Sequence, residues 1–238
     1  MQTLDQLVRM SQTLGAPELD AVILGEGNTS AECEPDVFHV TASGARLGGI
    51  DSEGFVRLRA GPVRAVLDDP QADAAALRRA CAEAKVFPTE RDPSIETALH
   101  ALLLGYPGVH AVAHTHPTAV NALTCAAEWE DLLTGRLFPD ELELLGPAAA
   151  FVPYATPGLE LARGMRHAVD AFVATHGQPP RVIYMQNHGV AALATTCARC
   201  VDITRMVIKT ARIRLATCAV GSLRPIPAPG PDVERIVR

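Results

Sequence analysis

The chain has 238 residues, 48% of them apolar and 20% charged, with a mean hydropathy of +0.13. That is enough apolar material for a full-sized core and excludes a disordered or fibrous protein. Its 21 Lys and Arg against 27 Asp and Glu give a net charge of −6. No basic run exceeds Arg78-Arg79, so neither a nucleic-acid backbone nor an anionic membrane surface has a patch to meet.

Leu4, Leu7, Val8 and Leu14 follow helical spacing, and Gly15 with Pro17 supplies the stop, so the chain opens with a helix. Short apolar runs at 21–24 and 37–40 read as strands. An alanine-rich helix is expected over 71–86. Asp92-Pro93 then offers an N-cap and a first-turn proline for a helix running to Leu104. The pattern continues as a strand over 109–113, a helix over 117–126, a strand over 149–152 and a helix over 159–175. Paired strands at 181–186 and 191–194 flank Asn187-His188-Gly189, and a long helix covers 198–218. Strands and helices alternate without a linker, which predicts a single α/β domain over 1–220 with helices covering a mostly buried sheet. The proline-rich residues 221–238 are expected to follow an extended, unpacked path.

The stretch 97–127 carries no Asp, Glu, Lys or Arg, but four histidines and the breaks at Gly105, Pro107, Gly108 and Pro117 argue against a membrane span. Asp5 and Arg9 interrupt the N-terminal segment where a signal peptide needs an apolar core, and a cytoplasmic location is expected. Six cysteines in a chain of this length predict reduced thiols, with Cys197 and Cys200 as small buried residues on one helix face.

Chemistry concentrates in five short segments. His114-Thr115-His116 follows an apolar strand, and a period of two sends both rings to one face. His188 sits in a glycine-containing turn past another strand. Three imidazoles gathered there make an open three-ligand site of the kind that holds zinc. Glu96 in Pro93-Ser94-Ile95-Glu96 lies on the helix feeding the histidine strand, within reach as ligand or base. His100, one turn on, is expected to pack or to support the ligands rather than bind metal. Gly27-Asn28-Thr29-Ser30 and Thr41-Ala42-Ser43-Gly44 expose amides and small hydroxyls suited to cradling an anion.

In chain order GNTS, TASG, PSIE, HTHP and QNHG, these five segments resemble the class II aldolase and adducin family over about residues 5–218. The resemblance implies a three-layer α/β/α domain around a central mixed, largely antiparallel sheet, assembled as a homotetramer with active sites between subunits. It implies that His114, His116 and His188 hold a divalent metal, usually Zn2+, with Mn2+ or Co2+ as alternatives. Glu96 would be the acid/base, and Gly27, Asn28, Ser43, Gly44 and Ser94 would line a phosphate pocket. The implied activity is that of an aldehyde-lyase acting on a small-molecule carbonyl substrate, a sugar-like hydroxyketone, through a metal-stabilised enediolate. Dehydration, epimerisation and decarboxylation run on the same fold, and an adducin-like binding domain is the non-enzymatic alternative. A Schiff-base route would need a desolvated lysine, and the chain has only Lys85 and Lys209. Three departures from the family pattern bear on substrate. Ile95 replaces a second phosphate-binding serine, Glu32 stands where some relatives carry a lysine, and 127–138 lacks the proton-donating tyrosine of fuculose-phosphate aldolases, leaving Tyr154 as the nearest substitute.

Overall fold

A computed structural model describes residues 2–89 and 91–227. Its centre is β4 (Ala111–Thr115), buried along its whole length. On one side lie β1 (Asn28–Glu34), β2 (Val37–Thr41) and β3 (Phe55–Arg59). On the other lie β7 (Gly189–Ala194), β6 (Val182–Met185) and β5 (Ala150–Val152). The sheet order is β3-β2-β1-β4-β7-β6-β5. All neighbours are antiparallel except β5 and β6, so the expected mixed, largely antiparallel sheet is present.

Side-chain alternation splits the apolar residues into two cores. Val112, Ile183, Met185, Ala191 and Leu193 meet α2 (Ala60–Asp68), α3 (Ala74–Ala84), α4 (Thr97–Leu103) and α8 (Leu159–His176) on one face. Ala111, Ala113, Val182, Tyr184, Val190 and Ala192 meet α1 (Gln2–Leu14), α5 (Thr118–Thr124), α6 (Trp129–Leu133), α7 (Pro139–Leu145) and α9 (Cys197–Val220) on the other. This is the three-layer arrangement. Each fully buried Leu or Val contributes about 1.5–3 kcal/mol, and a one-residue slip of β4 would exchange the two faces, so its register is strongly specified. The uncharged stretch 97–127 is the centre of this packing, since all seven residues of α4 are buried. Among the described residues no helix is long and apolar enough to cross a membrane.

Several boundaries differ from the sequence expectations, for physical reasons. Residues 21–24 form no strand: Leu24 has φ +52°, and the segment's tie to the sheet is Ala21 O accepting from His116 N at 2.8 Å. Helix α4 starts at Thr97 rather than at the Asp92-Pro93 signal. Ser43 N donates to Asp92 O and Ser94 N to Thr41 O, which holds 92–94 extended beside the end of β2. The described part of the tail, 221–227, leaves α9 at Gly221 and touches the fold: Ile226 N donates to Arg136 O at 2.7 Å, and a Cβ on Gly135 would lie 2.8 Å from Pro225. Residues 228–238 lie outside the described residues. Cys197 and Cys200 are buried. Cys200 donates to Ala111 O at 3.3 Å, and burial pushes the Cys197 thiol up to about 11, as expected for inert thiols.

Candidate metal centre and its cavity

Three elements bring the histidines together. His114 is the fourth residue of β4, opposite Asn28 of β1 and Ala191 of β7. His116 follows two residues later, where the chain leaves the sheet. His188 caps the β6–β7 hairpin, whose turn places Asn187 at φ +53° and ties its amide to Thr124 O. The rings fit only because residue 189 is glycine. A Cβ there would stand 2.4 Å from Thr115 O, 2.9 Å from His116 Cδ2 and 3.4 Å from His114 Cε1. Gly27 is constrained in the same way, with φ +70° and its missing Cβ 2.8 Å from His114 O.

The His114 and His116 Nε2 atoms are 2.9 Å apart, and those of His114 and His188 are 3.3 Å apart. Tetrahedral ligands at 2.0–2.1 Å from zinc are separated by ~3.3 Å, so this spacing suits one ion. His114 Nδ1 lies 3.1 Å from Val190 O. A carbonyl only accepts, so Nδ1 carries the proton and the Nε2 lone pair faces its two neighbours. Glu96 completes the donor set: Oε2 is 3.3 Å from His114 Nε2 and Oε1 is 3.2 Å from His188 Nε2. Oε1 is buried and takes no hydrogen bond, as a carboxylate oxygen aimed at a cation would be. Three imidazoles, an orphaned carboxylate oxygen and near-complete burial fit a divalent metal. Among the described residues, the ligand atoms of His114, His116 and His188 converge closely enough to hold one ion.

Electrostatics within the cluster follow from crowding in a low-dielectric site. Burial alone would raise the Glu96 carboxyl, but His114, His188 and Asn28 outweigh it and hold the group well below the usual carboxylate range. Burial opposes protonation of His114, and the Glu96 charge overrides it, so that ring is shifted up. His116 is pushed down to about 3, first by burial and then by His114 and His188.

Behind the histidine cluster runs a buried hydrogen-bond chain. Asn28 Nδ2 donates to Glu96 Oε2 at 2.7 Å and to Ser94 Oγ at 3.2 Å. Asn28 Oδ1 lies 2.5 Å from His100 Nε2, and His100 Nδ1 lies 2.7 Å from Ser30 Oγ. His100 is therefore engaged at both nitrogens and stands apart from the ligand cluster, in the supporting position expected of it.

In front lies a cavity of about 320 Å3. Gly27, Asn28, Ser43, Gly44, Ser94, Glu96, His116 and His188 all line it, while His114 sits behind them with no exposed surface. Glu26, whose carboxylate accepts from Ile23 N, also lines it. Among the described residues, no lysine or arginine lines it. Glu32, expected near this pocket, instead pairs with His110 at 2.5 Å. It lies four residues along β1 from Asn28, about 13 Å away. Arg46 is exposed and does not line the cavity. Tyr154 is 63% exposed rather than packed, with its amide bound to Gln186 Oε1.

Comparison with known proteins agrees with this geometry. A Bacillus subtilis (strain 168) protein named uncharacterized oxidoreductase YuxG is 25% identical over 215 residues, covering 87% of this chain and 29% of its own length. The chain therefore spans less than a third of that relative. The N-terminal class II aldolase domain of a conserved Thermoplasma acidophilum protein superposes with a TM-score of 0.70 at 26% identity, covering 89% of this chain and 93% of that one. An L-fuculose 1-phosphate aldolase superposes with a TM-score of 0.71 at 19% identity, covering 100% and 94%. Residues 5–215 match the family described as the class II aldolase and adducin N-terminal domain, and the chain belongs to that family.

Proposed function

We propose that the protein is a zinc-dependent aldolase acting on a small hydroxyketone donor. The observation that carries this reading is the convergence of three imidazoles beside a buried carboxylate, Glu96, which lies 3.2–3.3 Å from His114 and His188. His114, His116 and His188 would hold the ion. When bound, zinc supplies Lewis acidity that polarises the donor's carbonyl and stabilises the negative charge that develops when a carbon–hydrogen bond beside it is broken. Glu96 takes that proton and later returns it. Its ionised state and its free Oε1 suit it to accept one. Gly27, Asn28, Ser43, Gly44 and Ser94 orient the donor. Ser94 Oγ already accepts from Asn28 Nδ2 and Glu96 N, which leaves its hydrogen for a ligand.

The anion pocket is weak by composition. Among the described residues no lysine or arginine lines it, and Ile95 presents an apolar surface that is 71% exposed. Beside it opens a second chamber of about 410 Å3 whose lining includes Leu77, Cys81, Ile95 and Leu159 together with Arg78 and Asp92. We therefore read the donor as one whose binding depends little on phosphate. Ile23, Leu24, Ile95 and Tyr154, all at least 59% exposed, belong to segments around the cavity, in keeping with a homotetramer whose sites lie between subunits.

The test is elemental analysis of protein purified without chelator, followed by assays of carbon–carbon bond formation with unphosphorylated and phosphorylated ketose donors. One zinc per chain and loss of turnover on chelation are expected. Absence of metal with activity unimpaired in chelator would overturn the reading.

A further inference from the structure

The chain Ser30–His100–Asn28–Glu96 has only one consistent pattern of hydrogens. A carboxylate oxygen accepts, so the Asn28 amide nitrogen faces Glu96 Oε2 at 2.7 Å. The flipped amide would set two acceptor oxygens against each other. Asn28 Oδ1 is then the atom facing His100 Nε2 at 2.5 Å, and that nitrogen must carry a hydrogen. His100 is fully buried, and burial together with neighbouring His114 lowers it to about 3, so the ring is neutral. Its Nδ1 is therefore bare and accepts from Ser30 Oγ at 2.7 Å. Every donor points the same way, from strand β1 through helix α4 and back to β1, ending on one carboxylate oxygen.

We propose that His100 is a positioning residue: acting through Asn28, it fixes Glu96 Oε2 as the held oxygen and leaves Oε1 as the one that exchanges a proton with substrate. The inference builds on the role of Glu96 in the aldolase reading. The fixed tautomer is what the arrangement requires. With the hydrogen on Nδ1, His100 Nε2 and Asn28 Oδ1 would face each other as two lone pairs, and the amide would lose the partner that keeps its nitrogen on Glu96. Ser30 and His100 are both fully buried, so water does not supply the missing hydrogen in their place.

Two measurements test this. In protein labelled with 15N-histidine, two-bond 1H–15N correlations of His100, assigned by their loss in His100→Gln, should show a neutral ring protonated at Nε2. Protonation at Nδ1 or a charged ring would overturn the proposal. The second measurement follows deuterium uptake from D2O into dihydroxyacetone and dihydroxyacetone phosphate by zinc-loaded protein. His100→Phe should keep its zinc and a KM within about twofold, while kcat for exchange falls by about 10–100-fold. His100→Gln, whose amide can still donate to Asn28, should recover part of the loss. Leu99→Ala, a buried packing change on the same helix, should lower stability and leave kcat nearly intact. Wild-type kcat in His100→Phe, or no recovery in His100→Gln, would overturn the proposal. If the wild-type protein exchanges neither donor, the aldolase reading fails, and the tautomer measurement still decides the orientation of Asn28.

Discussion

Gly189→Ala places one methyl group where β7 leaves the histidine hairpin. Its Cβ would stand 2.4 Å from Thr115 O and 2.9 Å from His116 Cδ2, so about 1 Å of movement is needed to reach ordinary contact. The nearest atom is backbone of the central strand, not the end of a flexible side chain, and relief must separate β7 from β4 or rotate His116. Overpacking of this kind costs about 1–3 kcal/mol. At about 2–4 °C per kcal/mol for a protein of this size, the metal-free Tm should fall by about 2–12 °C. The effect on metal should be larger, because ligand positions tolerate only about 0.2 Å of error, and the same movement displaces two of the three ligands. Zinc affinity, measured by competition with a chromogenic chelator, should drop by at least about tenfold. Gly49→Ala is the control, since nothing lies within 4 Å of its Cβ, and it should leave both quantities unchanged. Wild-type zinc affinity and Tm in Gly189→Ala would show that the strands do not fix the histidine cluster as described.

Glu96→Gln should reduce turnover by about 10²–10⁴-fold while retaining zinc, because three histidines remain; near-normal kcat in the variant would remove Glu96 as proton shuttle. His100 and His116 are each held neutral to about 3 in the fold, so the unfolded chain binds more protons between the ordinary histidine value and that point. The metal-free protein should therefore lose stability as pH falls from about 6.5 toward 4, by ~2.7 kcal/mol per pH unit for the two groups together, and denaturant melts across that range measure it. Each hydrogen bond to a charged group is worth about 1.5–3 kcal/mol, so replacing one phosphate-binding serine by Ile95 should weaken phosphate recognition by about 10–100-fold. A kcat/KM preference of a thousandfold or more for a phosphorylated donor over its matched unphosphorylated form would refute that.

The long apolar elements were legible in the sequence because their residues obey one period each. The helices α1, α5, α8 and α9 and the strands β2, β4, β5, β6 and β7 follow from spacing alone to within a few residues. Shorter pieces escaped for different reasons. Phe55-Val56-Arg57-Leu58-Arg59 alternates over only a few residues, a signal too short to stand out. Helices α6 and α7 are five and seven residues long, too short for a period to declare itself. The start of α4 differs from the expectation because Asp92-Pro93 is a good local capping signal. Two backbone hydrogen bonds to β2 and its flank override it, and no local reading contains them.

Strand β1 is the instructive omission, because what hid it is what the site requires. Asn28-Thr29-Ser30 reads as a turn, yet Thr29 and Ser30 are fully buried and Asn28 nearly so. Each buried polar group there is satisfied across the sheet or against a helix. Thr29 bonds Thr41 and Ser11, while Ser30 bonds His100 and Asn28 bonds Glu96. An unsatisfied group in this position would cost about 1–3 kcal/mol, so such a strand persists only where its partners are already in place. The hydroxyls and the amide therefore interrupt the apolar alternation that announces a strand while linking the carboxylate at one end of α4 to the sheet beneath it. The candidate site was visible as five separate motifs, but their connection through His100 lies in pairings between residues 68–72 positions apart, which only the folded chain brings together.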